Sequence, residues 1–221
     1  VVLCVSADAD VLSVVDGRGN IVVSSKPIEP TSYADREFFR MQQQSSEDTL
    51  YISRPVLGRV SNTWQVAVSG RIIAAGGSFG GVIVLSVDPG YFVRFYQKVD
   101  VGAQGLLVLA GLDGIYRARR VGTAVGFGND MSGSSLLQEQ KKNAAGEFFS
   151  ESDVDGVARL ISYRTLPDFP LVVAVGSAEH EVLAHFRHSR NRDYWLAILA
   201  STVILAVAAM LLVTLSRQRR A

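Results

Sequence analysis

Val11–Ser25 reads VLSVVDGRGNIVVSS. β-Branched runs stand on either side of Asp16-Gly17-Arg18-Gly19-Asn20, whose glycines supply the positive-φ positions a tight hairpin needs. The spacing predicts a β-hairpin. A reduced copy follows mid-chain, where Leu106–Leu109 and Ile115–Arg119 flank the turn Leu112-Asp113-Gly114. Two openings of one kind predict two successive sheets.

Outward from the first hairpin, Lys26–Pro30 is a proline-bearing loop. Tyr33–Gln44, YADREFFRMQQQ, reads as a helix capped by Thr31 or Ser32. Strands are expected over Leu50–Leu57, Trp64–Ala74 and Gly80–Val87, with turns at Gly58, Asn62, Gly76 and Gly77. Asp88-Pro89 opens a short helix, because proline suits a first helical turn. Its aromatics Tyr91, Phe92, Phe95 and Tyr96 recur at helical spacing and read as a packing face. After the second hairpin come a short helix over Ser134–Lys142 and strands over Glu147–Ser150, Val157–Tyr163 and Leu171–Gly176. The fold class is therefore α+β, with two antiparallel sheets of about five strands each and helices beside them. Gly102–Gly105 is the expected junction.

Ser177 is expected to cap a helix that continues without Gly or Pro from Ala178 to Leu215. Within it, Tyr194–Leu215 (YWLAILASTVILAVAAMLLVTL) carries no charge. At ~1.5 Å per residue it would extend roughly 33 Å, enough to cross a hydrocarbon core. Arg190, Arg192, Arg217, Arg219 and Arg220 bracket it, and Tyr194 and Trp195 suit an interface. The expected division is a distal module over 1–101, a proximal module over 102–177 and a juxtamembrane helix over 178–193. A transmembrane helix over 194–215 and the start of a cytoplasmic linker over 216–221 complete it. With no leader before Val1 and a basic tail at its end, the chain is expected to be an excerpt of a longer membrane protein.

Lysine and arginine number 22 against 21 aspartate and glutamate, a balance that argues against a nucleic-acid surface. The single cysteine, Cys4, excludes an intramolecular disulfide framework and a cysteine zinc site. There is no G-x-S-x-G, phosphate loop or H-E-x-x-H, so no catalysis is expected in this segment. His180, His185 and His188 precede the apolar stretch. His185 and His188 share a helical face, but no carboxylate or thiol completes a site. No metal and no cofactor is expected.

In order and spacing, VVDGRGNIVVSS (14–25), YADREFF (33–39), RPVLGRVSNTWQVAVSGRI (54–72) and GSFGGVIVLSVDPGYFVRFYQKVDVGAQG (77–105) resemble the double Cache domain. LDGIYRARR (112–120) and DGVARLISYRTLPDFPLVVAVG (155–176) extend the resemblance. That domain is the tandem PAS-like extracytoplasmic sensor of bacterial receptors, here in the version attached to diguanylate cyclases, phosphodiesterases and sensor histidine kinases. The resemblance implies two PAS-like modules, with residues 1 to about 193 periplasmic on the bacterial inner membrane. It also implies a homodimer through a truncated N-terminal helix and a cytoplasmic output module beyond Ala221. Its function would be to bind a small molecule in the distal module and relay the event through the membrane helix. The alternative is a ligand-free ectodomain serving dimerisation or protein contact.

The same resemblance places Arg36 where amino-acid-binding relatives hold the ligand carboxylate, a task suited to a guanidinium fork. A structural salt bridge to Asp35, Asp88 or a neighbouring strand is the competing role. Phe38 and Phe39 stand where those relatives carry Trp and Tyr. Val56, Gly58 and Ser86 replace a Tyr and two Asp that hold the ammonium, which disfavours amino acids and amines; Asp88 is a partial substitute. Arg54, Arg59 and Arg71 make the region basic. Strand alternation separates Gln65, Ala67, Ser69 and Arg71 from Trp64, Val66 and Val68. If the polar set faces the pocket, a small anion such as a carboxylate is expected; if the apolar set does, Trp64 joins Phe38 and Phe39 in a hydrophobic cavity. The ligand-binding candidates are Arg36, Phe38, Phe39, Tyr51, Arg54, Trp64, Arg71, Ser86 and Asp88. In the second module, Arg159 and Arg164 are expected to pair locally, and that module to transmit rather than bind.

Overall fold

β1 (Val11–Asp16) and β2 (Ile21–Ser24) form the predicted hairpin. The carboxylate of Asp16 accepts the amides of Arg18 at 2.9 Å and Asn20 at 2.8 Å, and Gly19 takes φ 91° in the turn. The Asn20 amide, with the Arg18 amide, holds the Asp16 carboxyl below its ordinary pKa against the opposing effect of burial. In this computed structural model, residues 11–27, 31–58, 63–95, 101–151, 155–183 and 195–205 are described.

The first sheet is completed by β3 (Tyr51–Ile52), β4 (Val56–Leu57), β5 (Trp64–Ile73) and β6 (Phe79–Val87), in the order β2-β1-β6-β5-β3 with β4 also on β5. The expected strand over Leu50–Leu57 is broken because Pro55 has no N–H to give a ladder. Ser53 bridges the break: its amide donates to Ala67 O and its hydroxyl accepts the Ala67 amide, both at 2.8 Å. α1 (Glu37–Gln44) starts four residues later than predicted, on Arg36 rather than Thr31 or Ser32. The Tyr33 amide is already bonded to Gly19 O at 2.7 Å, which ties residues 33–36 to the hairpin as a turn. α1 lies on the sheet through Phe38 and Phe39, which pack with Val15, Ala67, Val82 and Val84.

α2 (Gly90–Phe95) follows, with Phe92 and Val93 in an apolar cluster with Leu109, Ala118 and Leu171. The Phe95 side chain and Tyr96 lie outside the described residues. The second sheet runs β10 (Ala145–Glu151), β11 (Ala158–Thr165), β12 (Leu171–Ala178), β7 (Leu106–Gly111), β8 (Tyr116–Val121) and β9 (Ala124–Gly126). α3 (Ser135–Lys142) covers one face through Leu136 and Leu137, and the Ser134 hydroxyl accepts the Leu137 amide at 3.4 Å. Both sheets have six strands rather than about five; β4 and β9 are too short for alternation to register.

Both sheets belong to one compact unit, and residues from Ala178 on form another. Ser177 is a strand residue rather than a helix cap, since β12 continues through Ala178 before a helical stretch at 179–183. Residues 195–205 are helical, while 184–194 and 206–221, with His185, His188 and the rest of the expected span, lie outside the described residues. Among the described residues no helix is long and apolar enough to cross a membrane.

Candidate ligand site at the N-terminal end of the first helix

The packing of α1 decides which face of the first sheet is enclosed. Ala67 lies against Phe38 and Phe39, and register sets Ser86 beside Ala67, Val84 beside Ser69 and Val82 beside Arg71. The polar set of β5 therefore faces α1. Trp64 falls on the opposite parity and is 43% exposed. A Cβ at Gly128 would stand 3.5 Å from its ring, so Trp64 leans on the loop after β9 and lines no cavity with Phe38 and Phe39.

Two of the candidate arginines are committed to the protein. Arg71 Nη1 donates to Gln42 O and Ser45 O, each at 2.6 Å, and its guanidinium lies 4.9 Å from the Phe79 ring centroid. It is the cation that closes the C-terminal end of α1, where carbonyls point out unpaired. Arg54 Nε donates to Asp113 Oδ2 at 3.0 Å, and that bond holds the guanidinium even more firmly protonated than usual. Asp88 accepts the Gly90 amide at 2.7 Å and pairs with Arg94 at 2.9 Å, so it caps α2 rather than answering Arg36. Arg59 lies outside the described residues.

Arg36 is different. It is the N-cap residue of α1, in extended conformation, and its side chain makes no capping bond. Among the described residues its guanidinium makes one long hydrogen bond, from Nη2 to Leu57 O at 3.5 Å. Beside it in the chain, the carboxylate of Glu37 lies near the hydroxyl of Tyr51. Burial, followed by the influence of the nearby Glu37 carboxylate, pushes the Tyr51 phenol well above its ordinary pKa. The N-terminal end of α1 thus brings together a cation, an acceptor and a half-buried phenol over the polar face of β5. Phe38 and Phe39 lie beneath, 7% and 2% exposed, as packing.

The deeper part is closed by Gln42, 1% exposed, whose Nε2 donates to Thr49 O at 3.0 Å and Ser69 O at 2.9 Å. Sequence reading named neither Glu37 nor Gln42. Nor did it find the roles of Asp113 and Arg117, although LDGIYR and DGVAR share a D-G-x-x-R pattern that signals them. Arg117 pairs with Asp113 at 2.9 Å, and Arg159 pairs with Asp155 at 2.6 Å. Both arginines are buried, at 4% and 1% exposure. The Arg159 pairing is local, as expected.

This arrangement of sheets and helices matches several known proteins. A family model described as a histidine kinase sensor domain of dCache type matches residues 89–176. The extracellular domain of rpHK1S-Z16, designated a histidine kinase, is 30% identical over 78% of this chain and 71% of its own, with a TM-score of 0.72. The chain belongs to the dCache-like sensor family. Such domains are the extracellular sensors of histidine kinases and chemoreceptors. At the level of fold, this dCache domain also matches PctB of Pseudomonas aeruginosa PAO1, solved with L-Arg, at 15% identity and a TM-score of 0.58. That match covers 82% of this chain and 71% of PctB. CtaA of Pseudomonas fluorescens, solved with L-leucine, matches at 16% identity and 0.53, covering 78% of this chain and 72% of its own.

Proposed function

We propose that this dCache domain senses a small carboxylate, held by Arg36 at the N-terminal end of α1. The reading rests on one contrast. Arg54 and Arg71 are engaged by Asp113 and by the α1 carbonyls, whereas Arg36 is held by one 3.5 Å bond to a backbone oxygen. A guanidinium so placed can exchange that bond for two parallel bonds to a carboxylate. The ligands of PctB and CtaA, L-Arg and L-leucine, also bear a carboxylate. Glu37 with Tyr51 supplies an acceptor beside Arg36, so a ligand carrying both a carboxylate and an ammonium is one arm of the test.

The binding event is relayed, in this reading, through a transmembrane helix over 194–215 to a cytoplasmic diguanylate cyclase, phosphodiesterase or histidine kinase module. The receptor would sit in the bacterial inner membrane as a homodimer. The helix at 195–205 supports the membrane assignment. It is apolar all round, and the hydroxyls of Ser201 and Thr202 turn back to the carbonyls of Ala197 and Ile198 at 2.8 Å, which hides them from hydrocarbon.

Thermal unfolding of the full chain in detergent, scanned over amino acids, simple carboxylates and carboxylate-free amines, tests the assignment. At a ligand concentration of 100 Kd, binding to the native state adds about 2.7 kcal/mol of stability. Carboxylates should raise the melting point, and Arg36→Ala should remove the effect; a response to amines alone, or one indifferent to Arg36, overturns it. A ligand-free ectodomain is the second reading, favoured by the filling of the space beneath α1 with Phe38, Phe39 and Gln42. Silence across the whole library supports that one.

A further inference from the structure

Residues 51–57 touch both sheets. On one side they meet the N-terminal end of α1: Leu57 accepts from Arg36 through its carbonyl, and the Tyr51 hydroxyl lies near the Glu37 carboxylate. On the other side Ile52 packs against the cluster of Val93, Leu109, Ala118 and Leu171, and its carbonyl accepts from Arg117 Nη2 at 3.5 Å. Arg54 reaches Asp113 at 3.0 Å. Alternation along an extended strand explains the split, because Tyr51 and Ile52 leave the backbone in opposite directions.

Asp113 is shared by two guanidiniums, one from each sheet. Arg117 grips both of its oxygens, at 2.9 and 3.2 Å, with a side chain only 5% exposed. Arg54 takes one oxygen from a side chain 51% exposed. A buried cation cannot release its counter-ion without leaving an uncompensated charge; a solvated one can. Arg54 is therefore the partner able to let go. β3 itself is a two-residue strand at the end of the strand order, held to β5 by its ladder and the Ser53–Ala67 bonds, and the proline that follows breaks that ladder before β4.

We propose that residues 51–57 are the relay by which a change at the N-terminal end of α1 reaches the second sheet, with Arg54–Asp113 as its releasable contact. The input rests on the reading of Arg36 as the carboxylate contact. A carboxylate that takes the Arg36 guanidinium removes it from Leu57 O, so the segment loses that hold on α1 and shifts against the Asp113 node. Ligand can bias the two arrangements only by its differential affinity for them.

Amide hydrogen exchange on the full chain in detergent tests the relay without any ligand. Tyr51→Phe removes the hydroxyl that faces Glu37 and keeps the ring; Arg54→Ala removes a solvated side chain and leaves the Arg117–Asp113 pair intact, so neither threatens folding. Tyr51→Phe should accelerate exchange about threefold or more at both 51–57 and 106–121, and in an Arg54→Ala background the increment at 106–121 should vanish. An effect of Tyr51→Phe that stops at residue 57, or that simply adds to that of Arg54→Ala, overturns the proposal. A second arm uses succinate and L-leucine as probes. Protection at 31–44 with faster exchange at 51–57 and 106–121 in the parent chain, the change at 106–121 lost in Arg54→Ala, supports the relay; a change at 106–121 that survives Arg54→Ala refutes it. If neither probe protects any segment, the reading of Arg36 fails while the ligand-free arm still decides the relay.

Discussion

Three arginines of the first sheet carry the same charge and do three different things, because each meets different partners. Arg71 closes a helix end. Hydrogen bonds to a charged donor contribute about 1.5–3 kcal/mol each where both partners are shielded, and Arg71 makes two short ones at a half-buried site. Arg71→Ala should lower stability in urea by about 2 kcal/mol. It should leave a carboxylate response in place, whereas a lost response with unchanged stability would return Arg71 to the ligand site. Asp113 gives a pH signature. Burial alone would raise its carboxyl, but Arg117, the Ile115 amide and Arg54 outweigh burial and hold it below the ordinary value. A carboxyl depressed on folding contributes stability that is present above its unfolded value, about 3.9, and lost as pH falls through the folded value. Asp113→Asn should thus flatten the acid limb of a stability–pH curve below about pH 4. It should also cost roughly 2–3 kcal/mol at neutrality, where Arg117 is left buried without its anion. An acid limb of unchanged slope would remove Asp113 from the account.

At the scale of elements, the two eight-residue helices begin in different ways. α3 starts on Ser134, whose hydroxyl caps the Leu137 amide. α1 starts on Arg36, a residue that cannot accept a hydrogen bond, so its first-turn amides have no side-chain cap. The better cap is absent at the place where a cation that binds the ligand carboxylate is proposed, which is the pattern expected when function competes with stability. Arg36→Asp should therefore stabilise the fold by about 0.5–1 kcal/mol through capping while it abolishes the carboxylate response. Calorimetry with and without succinate measures both, and a fall in stability would show that Arg36 is structural. Elsewhere in the first sheet, Gly81 holds φ 137° where β6 passes close to β1, and a Cβ there would collide with Val15 O. That contact fixes how near the hairpin lies to the strand carrying Val82 and Val84.

For the molecule as a whole, two sheets share one compact unit and the residues beyond them form another. The described part of that second unit exposes Trp195, Leu196, Ile198, Leu199 and Leu205, each more than half accessible. So much apolar surface on one helix is stable only against lipid or protein. In a Trp64→Phe background, Trp195 emission should move to shorter wavelength when lipid vesicles are added to detergent-diluted protein. An unchanged spectrum would count against a membrane-embedded helix.

Much of this was written locally. The Asp16–Asn20 turn, the alternation along β5 and the proline-led start of α2 depend on neighbours in the chain, and pattern reading found each of them. Ligand candidates were harder. Arg54, Arg71 and Asp88 looked like binding residues because sequence displays charge but conceals the partner, and those partners (Asp113, the α1 carbonyls and Arg94) are brought in by folding. Conversely, Glu37 and Gln42 sat inside a helical string with nothing to mark them until packing turned one toward Tyr51 and the other under α1. Periodicity reports which face a residue takes. What lies opposite that face is settled by contacts distant along the chain, and those contacts leave Arg36 alone of the three arginines without a strong hold.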